Sequence, residues 1–455
     1  MVDNWINQNK EWLFSGVGAT FLYFLFAQLR KKQKSKEPDP SLDQQKSPTK
    51  KNNIDNSKIG VLGDYNTINN LNIINNSEEE STNSLLARYL DELAAVTDRL
   101  PWGQIAPEEA GPGGNENLRL SDVYTALDTT EPKKMECEED VRECLKGRNE
   151  KDRVSAQQMI NDHPRLVLLG DPGSGKTTLV NFIAHLLARA KASQESEKYL
   201  ARLQKTGPWD HGSMLPIRIV LRDYAAWLEV ETSESKNLSG WLQESLKENK
   251  LQKLWPLIHK GLLAENQQIF IMLDGLDEVP VSQRRNVVTQ INNFAENYCH
   301  NRYLVTCRIY AYVDKAYQLG NFSRTILAPF SKDQINHFND AWYQELAAQK
   351  RPLEGKPQEL AARLKTAVKG DDLLELAERP LILTVIALLH TSYGQLPEDR
   401  VELYKWAVEL LLRRWKGPEG GNSLASFLGM PKLKMSGLEA GLYEVAFQAH
   451  SGQTH

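Results

Sequence analysis

One stretch restricts the folds open to this protein more than any other. An apolar run of strand length, Arg165–Leu169 (RLVLL), ends at Gly170 and opens into Gly170–Thr177, GDPGSGKT. From Thr178 onward Leu179, Phe182, Ile183, Leu186 and Leu187 return at helical spacing. Strand, glycine-rich turn and helix in that order predict an α/β domain in which the turn cradles an anion. The glycines let successive backbone N–H groups point at one phosphate, and the helix N-terminus adds partial positive charge there. The candidate cradle is Gly170, Asp171, Pro172, Gly173, Ser174, Gly175, Lys176, Thr177 and Thr178. Lys176 is placed to reach β and γ phosphates, and the Thr177 hydroxyl to hold Mg²⁺.

A phosphate-bound Mg²⁺ calls for a carboxylate at the end of a neighbouring strand. Gln267–Pro280, QQIFIMLDGLDEVP, supplies one. Ile269–Leu273 is a continuous apolar run, as expected of a parallel strand buried on both faces, and it ends in Asp274, the second candidate metal ligand. Asp277 and Glu278 follow, and either can orient and deprotonate an attacking water. A further strand, Tyr303–Cys307, ends in Arg308. An arginine at that edge of an open α/β sheet faces the ligand crevice and is a candidate γ-phosphate sensor. No N-K-x-D follows Asp274, which favours ATP over GTP.

A length of 455 residues leaves room for about two to four domains. A net charge of −4 gives no global argument for nucleic acid. The four cysteines form no C-x-x-C pair, which argues against zinc and against a disulfide framework and suits a reducing cytosol.

The N-terminal part reads differently. Trp12–Leu29 carries no charge, and Arg30, Lys31, Lys32, Lys34 and Lys36 follow it. Length and charge predict a single membrane-spanning helix, with everything after it in the cytoplasm. Residues 37–82 are rich in Asn, Lys, Ser and Gln and read as a disordered linker. Within it Gly60–Ile68, GVLGDYNTI, resembles the amyloid-forming motifs of the RIP homotypic interaction type, with Leu62, Gly63, Asn66 and Ile68 in the core positions. Ser84–Val96 predicts an amphipathic helix, Leu118–Leu127 a short strand with its lead-in, and 131–152 an exposed helix or hinge. Strands are expected at Arg165–Leu169, Pro216–Leu221, Ile269–Leu273 and Tyr303–Cys307. Val401, Tyr404, Val408, Leu411, Leu412 and Trp415 predict the apolar face of a late helix.

LLGDPGSGKTT, IFIMLDGLDEVP, YLVTCRIYAY, LAPFSKDQI and Glu378–Trp415 occur in the order seen in NACHT-domain ATPases, the STAND class of P-loop proteins, and the sequence resembles a bacterial member. The resemblance implies an additional-strand (ASCE) parallel sheet, with a strand between those ending at Leu169 and at Asp274. It is followed by an α-helical domain and implies Pro380 beside the adenine base. The resemblance covers roughly Leu118 to His450; together with the reading of the N-terminal part it divides the sequence into 1–36 (membrane helix with basic flank), 37–82 (linker), 83–153 (a pre-NACHT segment), 154–330 (NTPase), 331–416 (helical domain) and 417–455 (the start of a winged-helix-like region). It also implies ATP or ADP with Mg²⁺, slow hydrolysis, self-oligomerisation on nucleotide exchange, a trigger of unknown chemistry, and an immune-type antiphage role exerted through the membrane segment. A membrane-tethered AAA-like ATPase that remodels a partner, and a STAND-type regulator, are the competing expectations. No basic helix-turn-helix precedes the NTPase segment.

Overall fold

The computed structural model describes residues 81–99, 118–130, 153–230, 236–266, 268–349, 351, 353–397, 400–414 and 436–437. The segment 12–29, the Asn-rich tract, the 60–68 motif, the 131–152 hinge and the winged-helix-like region lie outside them, apart from residues 436 and 437.

The centre is a seven-stranded sheet in the order β2-β1-β7-β3-β6-β5-β4. Its strands are β1 (Asp128–Thr130), β2 (Arg153–Ser155), β3 (Arg165–Leu169), β4 (Leu215–Val220), β5 (Ile269–Asp274), β6 (Arg302–Cys307) and β7 (Ser323–Leu327). The five strands β7, β3, β6, β5 and β4 run parallel. The strand expected between β3 and β5 is β6. The pairs Leu169↔Cys307, Leu273↔Val305 and Val220↔Asp274 bring the C-terminal ends of β3, β6, β5 and β4 to one edge. Strands β4, β5 and β6 are buried along their whole length, as their nearly unbroken apolar runs require.

Side chains alternate between two cores. Val167, Leu169, Ile217, Ile219, Ile271, Leu273 and Val305 face one. Leu166, Leu168, Phe270, Met272 and Leu304 face the other, which holds α4 (Lys176–Ala192), the helix that follows the glycine-rich turn. The helix expected at 84–96 is α1 (Thr82–Thr97), capped by Ser81. It packs against α4: Leu90 and Leu93 are buried and Tyr89 donates to the Pro216 carbonyl.

Two sequence expectations are corrected. Leu118–Leu127 is not a strand; its centre is a single helical turn, α2 (Leu120–Val123), and the strand β1 begins after it. The carbonyl and carboxylate of Asp98 accept the N–H groups of Leu120 and Ser121, a tertiary anchor from outside the segment. Among the described side chains of α14 (Arg400–Arg414), Leu403, Ala407 and Leu410 are buried, while Val401 and Tyr404 are exposed. Val401 and Tyr404 thus leave the expected apolar face, and the buried stripe among the described side chains is Leu403, Ala407 and Leu410, at i, i+4 and i+7.

The expected single-pass membrane localisation is also corrected. Among the described residues no helix is long and apolar enough to cross a bilayer. The longest, α4, α9 (Val281–Asn297) and α10 (Lys332–Ala348), have 17 residues, short of the roughly 20 that the hydrocarbon core requires, and each carries charged residues.

Candidate functional site

The turn Gly170–Gly175 joins β3 to α4 at the edge where the parallel strands end. Gly173 and Gly175 have φ of +75° and +93°, a region that side chains with a Cβ avoid. A Cβ on Gly170 would lie 2.5 Å from Ser174 Oγ. The Ser174 hydroxyl is buried without a hydrogen-bond partner. A backbone this tightly wound, with an unanswered hydroxyl in it, fits a phosphate group. Asp171 and Pro172 form the first half of the turn, whose Ser174 N–H donates to the Asp171 carbonyl. Thr178 lies in the first turn of α4.

Lys176 bends back over the turn. Its Nζ donates to the carbonyls of Gly170 (2.8 Å) and Asp171 (3.0 Å). Burial lowers its pKa, while the charges of Asp277 and Asp274 pull it back up. Thr177 Oγ1 lies 3.2 Å from Asp274 Oδ1, so the two expected metal ligands meet although they are far apart in sequence.

Thr306, Arg218 and Arg222, none of them singled out by the sequence patterns, complete the surroundings of Asp274 and Glu278. Thr306 on β6 donates to Asp274 Oδ1 at 2.7 Å, and its oxygen accepts the Gly275 N–H. Arg218 on β4 donates to Asp274 Oδ2 at 3.1 Å, with both side chains over nine-tenths buried. Arg222, at the start of α6 (Leu221–Val230), lies 3.3 Å from Glu278 Oε2. An arginine in the middle of the apolar run PIRIVL was the available signal, since a charge buried inside a sheet requires a partner.

The doubled acid divides its labour. Both oxygens of Asp277 are taken by Arg308: the backbone N–H reaches Oδ1 at 3.0 Å and Nε reaches Oδ2 at 2.8 Å. Arg308 also donates to the Tyr310 hydroxyl. Glu278 is set apart. Burial pushes its carboxyl up to about 7; Arg222 works against that rise, and Asp274 and Asp277 add to it. A carboxyl poised near neutrality suits a general base. Asp274, Asp277 and Glu278 are thus paired with Arg218, Arg308 and Arg222 respectively. Lys176 makes its hydrogen bonds to carbonyls instead, which leaves its positive charge for an incoming anion.

The helical segment closes on the turn. Helix α13 (Pro380–Tyr393) starts with Pro380 in its first turn, and the Leu381 N–H donates to the Gly173 carbonyl at 3.2 Å. Pro380 Cγ lies 3.7 Å from the point where a Gly175 Cβ would sit, and Leu381 Cβ lies 3.0 Å from that of Gly173. Leu127 covers Gly175 from the other side. Pro380 is therefore beside the cradle.

The residues present fit a nucleoside phosphate with Mg²⁺: backbone N–H groups and Lys176 for the phosphates, Thr177 and Asp274 for the metal. Such a metal would neutralise phosphate charge.

The family model described as Nephrocystin 3, N-terminal, matches residues 150–308, a span that holds β3, the turn, β5 and β6 and stops at Arg308. A search of curated proteins finds no match. Among solved structures the protein is similar to C. elegans PCH-2, at 15% identity over 60% of this chain and 65% of that chain, with a TM-score of 0.27. It is also similar to Drosophila ORC bound to DNA, at 12% identity over 85% of this chain and 73% of that chain, with a TM-score of 0.27. The match thus spans less than two thirds of the length of the first, and overlays this loose carry no argument about activity. The family match and the turn geometry together support a P-loop NTPase.

Proposed function

We propose that this protein is a slow, Mg²⁺-dependent ATPase that works as a nucleotide switch. The observation that carries the reading is the contact between the phosphate turn and α13. The Gly173 carbonyl accepts from Leu381, so the loop that would hold the phosphates is bonded to the first turn of the helical segment. A change in the charge held by the loop is then felt by a second element, which is what a switch requires.

In this reading Lys176 and the N–H groups of the turn bind the phosphates. Thr177 and Asp274 hold the metal. Arg308, braced by Asp277, senses the terminal phosphate, and Glu278 takes the proton from water. ADP favours the docked arrangement, and exchange for ATP favours an open one that self-associates. The trigger for exchange is a separate ligand.

Turnover number tests this directly. The full-length protein should release only a few phosphates per hour, and its mass in solution should rise with a non-hydrolysable ATP analogue. Sustained turnover of many ATP per second, with unchanged mass, would instead mark a motor.

A further inference from the structure

Arg218 sits where its neighbours on the same face of the sheet are apolar. Phe270, Met272, Leu304 and Leu168 share that face, against α4. In register Arg218 pairs with Met272, and Val220 pairs with Asp274, so Arg218 is one side-chain step below the carboxylate it reaches. Burying a guanidinium there is costly, and its Nε is buried without an acceptor. A metal ligand needs no such neighbour for its geometry: Thr306 already fixes Oδ1, and Thr177 stands 3.2 Å from the same oxygen. What Arg218 adds is a full positive charge on Oδ2, 3.1 Å away.

We propose that Arg218 is a built-in counter-cation for Asp274 that denies the site a free divalent metal, so that metal enters only together with a polyphosphate. A lone carboxylate at a partly enclosed site attracts any divalent ion. With Arg218 against it the local charge is already balanced, and a divalent ion arriving alone meets net repulsion from Arg218 and Lys176. A polyphosphate brings the missing negative charge and answers Lys176 at the same time. The order of loading is thereby set by charge: nucleotide and metal arrive as one complex, and free Mg²⁺ does not occupy the site by itself. Arg218 is a positioning residue in this scheme, acting through Asp274. The inference rests on the nucleotide reading of the site.

The test uses the full-length protein and Mn²⁺ as the probe metal. Arg218→Gln removes the charge while keeping an amide that can donate to Oδ2, and Arg218→Lys keeps the charge. Calorimetry or Mn²⁺ electron paramagnetic resonance reads metal binding without nucleotide. A fluorescent ATP analogue in EDTA reads nucleotide binding without metal. The wild type and Arg218→Lys should bind free Mn²⁺ negligibly. Arg218→Gln should bind it tighter on the order of tenfold or more, the size of effect that removing an adjacent opposite charge has on a carboxylate. The gain should vanish in Arg218→Gln/Asp274→Asn, a neutral pair that also controls for folding. The analogue in EDTA should bind to the wild type and to Arg218→Lys alike, and more weakly to Arg218→Gln, whose unpaired Asp274 charge opposes the phosphates. An unchanged Mn²⁺ isotherm in folded Arg218→Gln, or a gain that persists in the double variant, overturns the inference while leaving the nucleotide reading intact. Failure of the wild type to bind the analogue with or without metal sinks the nucleotide reading instead.

Discussion

Burial raises the carboxyl of Glu278 to about 7, and Arg222 restrains that rise. The sign follows. A raised folded-state value favours the protonated acid, so the stability contributed by Glu278 is fully present below the ordinary carboxyl range and is lost as pH rises through about 7. Catalysis runs the other way, because a base must be ionised. Hydrolysis should rise through about pH 7 and then level. Glu278→Gln should abolish that limb and lower turnover by about 10²–10⁴-fold. Arg222→Gln removes a lowering charge, so the limb should move to higher pH; a pH–rate profile that stays in place would remove Arg222 from the account. At this scale the sequence showed the cradle, Asp274 and the acid pair plainly, because glycine spacing and strand-end carboxylates are local signals. It did not show which arginine each acid meets, nor which carboxyl burial raises toward neutrality. That division depends on Arg308 folding back onto Asp277 and on Arg222 reaching from another strand's end, both set by the sheet order. Thr306 was hidden for the same reason, whereas Arg218 left a trace as a charge inside an apolar run.

The long elements were legible and the short ones were not. Strands β3 to β6 and helices α1 and α4 follow unambiguous apolar patterns. β1 and β2 are three residues each, too short for a period, and exist because β7 offers β1 an antiparallel edge. The stretch at 118–127 was misread because Asp98 holds its N–H groups from outside the segment. Helix α1 shows what holds an element in place here. Its Leu93 is fully buried, whereas Asp91, paired with Arg189 at 3.0 Å, has a side chain 61% exposed. Leu93→Ala should cost about 2–5 kcal/mol. Asp91→Ala should cost no more than about 1 kcal/mol. Chemical denaturation of the full-length protein compares them, and equal losses would mean that the ion pair, not the apolar seam, docks α1 on α4.

At the scale of the described molecule three parts meet. A parallel sheet aims four strand ends at one edge, a glycine-bent turn stands there, and α13 is bonded to that turn. The sequence resemblance implied helices following a nucleotide domain, with Pro380 by an adenine base; in the structure Pro380 lies beside the turn. What pattern could not supply was the bond itself, from the Leu381 N–H to the Gly173 carbonyl, because both groups are backbone and leave no mark on composition. The location expected from hydropathy at 12–29 is corrected: among the described residues, which do not include 12–29, no helix is long and apolar enough to cross a bilayer.

Everything in the proposed cycle requires that the turn bind a charged polyphosphate through Lys176. Equilibrium binding of Mg²⁺·ATP to the full-length protein and to Lys176→Ala, each checked for folding by circular dichroism, tests that claim most directly. The account predicts saturable binding by the wild type and a loss of about a hundredfold or more in the variant, the size expected when a charge-assisted contact is removed from a partly buried site. Equal affinity in the two proteins, or no binding by the folded wild type, would contradict it.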